Sequence, residues 1–474
     1  MVIAEYRSNA GCPQKDSAER ERYAGARSVY PRETRERGGE PEMAQVLNRG
    51  NLNLAFKKVK ENKGAPGVDG LTIEQTEAWI RENRVEFVES IRNGKYKPLP
   101  LRRKEIPKPD GGVRNLGIPS VKDRIIQQAV CQIIMPKLDP NFSDSSYGYR
   151  PGRSAHDAMR KVREYANEGY TWVASIDLSK YFDTINHDRL LRILRQEIED
   201  ESIIQLIKKF LKSGVMIDGV VLPTEEGSGQ GGPLSPLLAN LYLDEFDKEM
   251  ELRGNKCVRY ADDIILMCKS KRAAQRQLAN AKKLLEGKLK LKLNDEKSKV
   301  VSVYSARDFK YLGFAMGKNK NGAYIRAHPK SLKKAKLRLK ELTKRNQGKS
   351  VDAVMRKENQ YIRGWMGYYA LASIKSTLRE WDGWRRRRYR AYIWKQWKKP
   401  KGRYAALRKL GIDERNAGIA ANSRKSYWRM ASSPILNEAI SNARLARKGF
   451  LSMENCYDDA RSRWGNRRIP NGTY

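Results

Sequence analysis

Two adjacent aspartates stand between apolar runs in Val258-Arg259-Tyr260-Ala261-Asp262-Asp263-Ile264-Ile265-Leu266-Met267. That pattern predicts strand, tight turn, strand over 258–268, with the acids at the turn. Neighbouring carboxylates repel each other. They are tolerated where they hold a divalent cation, and hard oxygen ligands suit Mg²⁺. Taken alone, the four residues 260–263 read more readily as a solvated acidic turn. A third acid changes the balance: Asp177 ends the apolar stretch WVASIDL at 172–178. If the two strands are neighbours in one sheet, Asp177, Asp262 and Asp263 converge at one edge. Three carboxylates can hold the two ions of two-metal phosphoryl transfer. Asp183 and Asp188, close by, read as a polar helix start and a helix cap.

The partner class follows from charge. Lysine and arginine outnumber acids so far that the 474-residue chain carries a formal charge of +40. A surplus of that size calls for a polyanion, nucleic acid above all. A basic membrane-surface protein is the alternative. It is disfavoured because aromatics interleave the cations and no apolar run reaches about 18 residues. Five cysteines without a CxxC pair and three histidines argue against a structural zinc site and a disulfide framework. No basic-then-apolar leader is visible, so a cytoplasmic, nucleoid-associated location and no membrane partner are expected.

At 39% hydrophobic the chain can bury a core, and its length suggests roughly three domains. Residues 1–42 are polar and without apolar period, a tail by composition; Met43 is a plausible alternative start. Residues 44–60 predict one helix with Leu52, Ala55, Phe56 and Val59 on a face. A glycine-rich loop follows at 63–70. Strands are expected at 172–178 and 299–314, a strand–loop region at 215–232, and helices at 188–213, 235–250 and 271–290. From 326 the chain reads as helical and basic.

The motifs, in order, resemble one family. Asp177-Leu178-Ser179-Lys180-Tyr181-Phe182-Asp183, Gln230-Gly231-Gly232-Pro233-Leu234-Ser235-Pro236 and Tyr260-Ala261-Asp262-Asp263 look like successive core motifs of a reverse transcriptase. The loop at 64–70, Ile106 to Arg114 and Tyr147-Gly148-Tyr149-Arg150-Pro151 resemble the group II intron branch. Phe309 to Phe314 is similar to a primer-grip segment, and 326–410 to a maturase-specific thumb. The resemblance runs over about 44–474. It implies an α+β right-hand polymerase, with fingers and a palm built on antiparallel sheet, then a helical thumb and a small basic C-terminal domain. The corresponding boundaries are 43–165 for fingers with an N-terminal extension, 166–315 for palm, 316–410 for thumb and maturase domain, and 411–474 for a basic nucleic-acid-binding region.

The resemblance also implies roles. Asp177, Asp262 and Asp263 would be catalytic, with the Leu178 carbonyl joining them as metal ligand for two Mg²⁺ ions. Lys108 and Arg114 match positions that hold the incoming dNTP, and their charges suit a triphosphate. Phe182 matches a steric gate against the ribose 2′-hydroxyl, with a core aromatic as the other reading. Gln230 opens the loop against the templating pair. Tyr311, Leu312 and Gly313 would grip the primer. Arg150 and Arg153 either contact template phosphates or form structural ion pairs. The implied partners are group II intron RNA, an RNA template with DNA primer, target DNA, dNTPs and a possible second copy of the chain. Without cysteine pairs or a histidine-rich tail, a His-Asn-His endonuclease domain is not expected.

Residues 381–401 hold nine Lys/Arg, one acid and six aromatics. Cations neutralise phosphates, and aromatics either stack on bases or fill a core. The expectation is tryptophans mostly inward and arginines mostly outward. Arg385, Arg386, Arg387, Arg388, Lys395 and Lys398 are the candidate nucleic-acid contacts.

Overall fold

The structure is a computed structural model that describes residues 41–107, 112–217, 219–229 and 231–466, with backbone alone at 114 and 464–466. The described residues form two compact units, one up to Val303 and one from Tyr304. Of the segment 1–42 that the sequence reads as a tail, 1–40 lies outside them and Glu42 opens a helix; Lys108 and Gln230 also lie outside.

The first unit is α+β. Its central sheet has the order β6-β7-β3-β8, from Lys256–Tyr260, Asp263–Cys268, Trp172–Ile176 and Lys299–Ser302. All three pairings are antiparallel. Ile264 to Met267 are buried one after another in β7. A continuous apolar strand needs cover on both faces. The helix Lys271–Lys283 packs against β3, β7 and β8, and the helices Ala155–Asn167 and Ser235–Leu252 pack against β6. Each Ile or Leu buried this way contributes about 1.5–3 kcal/mol.

A second sheet of this unit runs β2-β1-β4-β5, from Val113–Ile118, Leu101–Pro107, Val215–Ile217 and Val220–Leu222. The β1–β4 pair is parallel. Helix Val121–Leu138 is buried nearly all round, and Ser120 caps it by accepting from Asp123 N–H at 3.1 Å.

Two expected helices are split by capping side chains. Residues 44–60 become Glu42–Leu47 and Arg49–Glu61, because Asn48 turns to accept from Gly50 N–H at 2.8 Å. Residues 188–213 become His187–Glu197 and Glu201–Leu211, with Asp200 accepting from Ser202 N–H at 3.0 Å. The first of these is capped by Asn186, not Asp188. Asp200 also accepts from Met43 N–H at 2.9 Å, so the Asp200 cap ties the first described helix to the unit.

The second unit opens with the hairpin β9–β10, Phe314–Asn319 and Gly322–Ala327. Helices follow, the long ones being Pro329–Leu342, Val351–Tyr369 and Lys375–Gln396. Tyr389, Tyr392 and Trp394 fill its core with Leu407, Leu436 and Leu445.

The tryptophans therefore mostly point inward, but the arginines of this helix do not all point out. Arg385 is fully buried. It forks onto Glu358 at 2.9 and 2.8 Å, and donates to Asp382 at 2.7 Å and to the Leu451 carbonyl at 2.9 Å. Asp382 in turn accepts from Ser452 Oγ at 2.7 Å and from the N–H groups of Met453 and Glu454 at 3.0 and 3.2 Å. That places a carboxylate at the N-terminus of helix Met453–Asn466, where the helix dipole favours it. Arg385 thus corrects the expectation of a phosphate contact: two buried acids require it inside. Arg385→Met leaves both acids without their counter-charge. It should lower unfolding free energy by about 3–5 kcal/mol, read by chemical denaturation.

Candidate active site

The hairpin β6–β7 turns at Ala261-Asp262, and Ala261 sits at φ 56°. A left-handed alanine costs roughly 1–2 kcal/mol, so the surroundings must impose it. Arg259, one residue before Tyr260, does so from inside the protein. Its Nε donates to both Asp247 carboxylate oxygens at 3.0 and 2.8 Å. Its Nη2 donates to Asp247 at 2.6 Å and Ser146 Oγ at 2.8 Å. Its Nη1 donates to Asn240 Oδ1 at 2.9 Å and to the Ala261 carbonyl at 3.0 Å. The guanidinium thereby holds the turn's own carbonyl. Burial pushes the Asp247 carboxyl up to about 6, against the pull of Arg259.

Segment 145–148 closes the other side. Arg259 N–H donates to the Ser145 carbonyl and Tyr147 N–H to the Arg259 carbonyl, both at 2.8 Å. Gly148 lies so close that a Cβ there would stand 2.4 Å from the Ala261 nitrogen. Asn240 Nδ2 holds the Gly148 carbonyl at 2.7 Å.

The β3–β7 ladder ends with Ile176 opposite Ile264. Asp177 and Asp263 are the next residue on each strand, and Asp262 is one further into the turn. Asp177 N–H donates to Ser298 Oγ at 3.1 Å, and its carbonyl accepts from Asn294 N–H at 2.8 Å. Leu178 bridges Leu293, with Ser179 N–H bound to the Lys292 carbonyl. In that antiparallel pattern the flanking residues make the bonds, so the Leu178 carbonyl is turned to the opposite edge of the strand. Among the described residues no three His, Cys, Asp or Glu side chains form a metal cage. The donors that fit a hard cation are aspartate carboxylates on adjacent strand ends together with that carbonyl.

Phe182 is half-buried beside Tyr181, ring centroids 5.5 Å apart. The Tyr181 hydroxyl donates to the Ala239 carbonyl at 2.6 Å. Ser228 N–H donates to the Phe182 carbonyl at 2.8 Å, so the loop leading to Gln230 is fastened behind this ring. In the same loop Gly231 has φ 133°, and a Cβ would lie 2.5 Å from the Gly117 carbonyl of β2. Arg114 stands in β2 opposite Ile106.

Arg150 is buried and binds Asp139 Oδ1 and the carbonyls of Asp139 and Ser143 at 2.7, 2.7 and 2.6 Å. It ties the 139–150 segment together, which corrects its reading as a template contact. Arg153, partly exposed, pairs with Asp144 at 2.5 Å.

In the second unit, Leu312 has φ 50° and Gly313 φ 82°. Tyr368 Oη donates to the Leu312 carbonyl at 2.8 Å; Ser331 Oγ and His328 N–H donate to the Gly313 carbonyl at 2.9 and 3.1 Å. On helix 375–396, Arg387 holds the Trp428 carbonyl at 2.9 Å and Arg388 the Lys340 carbonyl at 2.8 Å. Arg386 lies 5.4 Å from the Phe450 ring, Lys395 bonds Asn346 at 2.6 Å, and Lys398 is exposed.

The sequence reading missed Arg259, Asp247 and Asn240, and placed Gly148 in a motif without a role. A signal existed: Asn240, Asp244 and Asp247 recur at i, i+4 and i+7 on helix Ser235–Leu252, and all three are buried. Arg259 is a charge set between Val258 and Tyr260 in β6, and it is fully buried.

Comparison with known proteins settles the family. Residues 106–316 match the reverse transcriptase (RNA-dependent DNA polymerase) family, and residues 332–411 match the group II intron maturase-specific domain. Protein YkfC of Escherichia coli is 35% identical over 292 residues, 53% of this chain and 77% of that protein. The chain belongs to the group II intron reverse transcriptase and maturase family. The group II intron-encoded protein LtrA of Lactococcus lactis is 35% identical over 256 residues, but these span 54% of this chain and 41% of LtrA. An uncharacterized 91 kDa protein in a cob intron of Schizosaccharomyces pombe is 33% identical over 214 residues, 44% of this chain and 25% of that protein. This reverse transcriptase, an RNA-directed DNA polymerase by family, has among its described residues no helix long and apolar enough to cross a membrane.

His328 yields a pH prediction. It is buried, and its Nδ1 accepts from Lys330 N–H at 3.1 Å. Burial first, then the Lys310 ammonium, holds its pKa below the ordinary value. The folded state therefore refuses a proton that the unfolded chain takes up. This contribution is present above the unfolded value of about 6.5 and is lost as pH falls below it. Urea midpoints should drop between pH 7.5 and 5.5, and the drop should be smaller in His328→Asn.

Proposed function

We propose that this reverse transcriptase copies its own group II intron RNA into DNA for insertion at a target DNA, and binds the same RNA to assist its splicing. The observation that carries the reading is the shared end of β3 and β7, which makes Asp177 and the Asp262-Asp263 pair neighbours at one sheet edge. Asp177, Asp262 and the Leu178 carbonyl are the residues that would hold Mg²⁺, with Asp263 alongside. Bound there, two Mg²⁺ ions would supply charge neutralisation and lower the pKa of the primer 3′-hydroxyl.

The protein's own groups do the positioning. Lys108 and Arg114 bring positive charge to the triphosphate of a dNTP. Phe182 would be the steric gate against the ribose 2′-hydroxyl, and Gln230, outside the described residues, would be the contact to the templating pair. Tyr311, Leu312 and Gly313 offer a rigid turn to the primer. Arg386, Lys395 and Lys398 are the candidates to meet phosphates; Arg153 would first have to leave Asp144 and the Ser146 carbonyl. The +40 charge supports a polyanionic partner throughout, and a homodimer on RNA belongs to the same reading. The boundaries 43–165, 166–315, 316–410 and 411–474 remain the proposed fingers, palm, thumb and C-terminal region.

Asp262→Asn should abolish Mg²⁺-dependent extension of a DNA primer on RNA while leaving the melting temperature in place; retained extension sinks the assignment. The double change Asp262→Asn with Asp263→Asn should still promote splicing of the parent intron at low Mg²⁺ while making no cDNA. If that variant loses both activities while folded, the maturase half of the reading fails. Phe182→Val should raise incorporation of ribonucleotides relative to deoxyribonucleotides, measured by single-nucleotide extension. An unchanged ratio in an active variant would make Phe182 a packing residue.

A further inference from the structure

The second unit carries a cavity of about 390 Å³ that the roles above leave unused. Its size falls in the range of small-ligand sites. One wall is the helix Pro329–Leu342, which presents Lys333, Lys336, Leu337 and Lys340 on a single face. That spacing is the i, i+3, i+4, i+7 pattern of one helix side. The opposite walls are two indoles, Trp384 of helix Lys375–Gln396 and Trp428 of the short helix Tyr427–Met430. No acid lines the space.

Two features are out of place for a plain protein surface. Trp428 is 37% exposed and Leu337 is 49% exposed, an apolar floor left open to water. Both indoles are also held in position by arginines that are themselves committed. Arg387 lies 4.1 Å from the Trp428 ring and donates to that residue's carbonyl at 3.1 and 2.9 Å. Arg388 lies 5.0 Å from the Trp384 ring and is bound to Thr343 Oγ1 at 2.5 Å and to the Lys340 carbonyl. The cationic work at the cavity therefore falls to the lysines, of which Lys336 also lies 5.8 Å from the Trp384 ring. Lys336 reaches Glu380 at 3.5 Å, but both side chains are exposed, and such a pair is worth little against a phosphate.

We propose that this cavity binds an unpaired nucleotide of single-stranded RNA, its base stacked against Trp428 and Trp384 and its flanking phosphates met by Lys333, Lys336 and Lys340. The inference deepens the proposed function and rests on it for the identity of the RNA. Rigid aromatics with a π-face open to solvent suit any base, and a lysine row at helical spacing can follow a backbone. A base-paired helix keeps its bases stacked inside and cannot offer one to the cavity. The site therefore selects loops, bulges and ends over duplex.

The test uses the full chain with a labelled oligo-uridylate and, separately, a blunt RNA duplex of equal length, followed by anisotropy across a salt series. Trp428→Ala should weaken single-strand binding by roughly 5- to 150-fold, the alanine-scan range for one stacked base, and leave duplex binding nearly unchanged. Trp428→Phe should keep most of the affinity. Lys336→Ala with Lys340→Ala should flatten the log–log salt slope by about 0.7 for each phosphate lost. Unchanged single-strand affinity in Trp428→Ala, or an equal loss on duplex, overturns the inference. Primer extension on a preformed primer–template reads the polymerase assignment separately. If wild-type protein fails to extend, that assignment falls while Trp428-dependent binding still supports the cavity.

Discussion

The turn that carries Asp262 and Asp263 depends on a buried ion pair. Arg259 spends its donors on Asp247, Asn240, Ser146 and the Ala261 carbonyl, and neither partner of the pair is meaningfully exposed. Two charges taken out of water repay their desolvation only with such complete bonding. What the arrangement secures is geometry. A left-handed Ala261 would relax elsewhere, and here the guanidinium below and Gly148 above leave it no room. Helix 235–252, segment 145–148 and the β6–β7 hairpin are joined at this one group. Removing either charge would strand the other and loosen the edge on which the aspartates sit.

The same device recurs in the second unit, with different parts. Arg385 joins Glu358, Asp382 and the Leu451 carbonyl, and Asp382 starts the final described helix. A strongly basic chain thus uses some of its cations as internal braces. Charge count alone overstates the number available to nucleic acid. Arg150, Arg385, Arg387 and Arg388 are all engaged with carbonyls or acids. The lysines of helix 329–342, with their single flexible ammonium, stay on the rim. The division follows the chemistry: a planar fork saturates several fixed acceptors inside, while a compact, strongly hydrated ammonium prefers water or phosphate.

Some of the left-handed backbone falls in the sequence motifs, though Lys290, also left-handed, lies outside them. Besides Ala261, the non-glycine residues with positive φ include Lys180 after the Asp177 strand, Tyr149 beside the hairpin and Leu312 in the primer-grip-like turn. Each lies within a motif that the sequence had singled out for chemistry. Such conformations persist only where neighbours over-determine them, as Tyr368, Ser331 and His328 do for Leu312-Gly313.

While the strand expected over 299–314 is β8 only to Ser302, the sequence by itself determined β3, the acidic β6–β7 hairpin, the order of motifs and the expectation of a polyanionic partner. These are local or additive properties: apolar period, turn chemistry and net charge are written in consecutive residues. It misjudged helix ends at Asn48 and Asp200, where one short polar side chain captures a backbone N–H and stops the helix. It could not sort arginines into braces and contacts, because that depends on which acids lie opposite across the fold. Glu358 and Asp382 meet Arg385 from another helix and from one turn away, and Asp247 meets Arg259 from a neighbouring helix. Only the tertiary structure decided those pairings, since a buried charge is fixed by its partners in space and those partners are distant, or inconspicuous, along the chain.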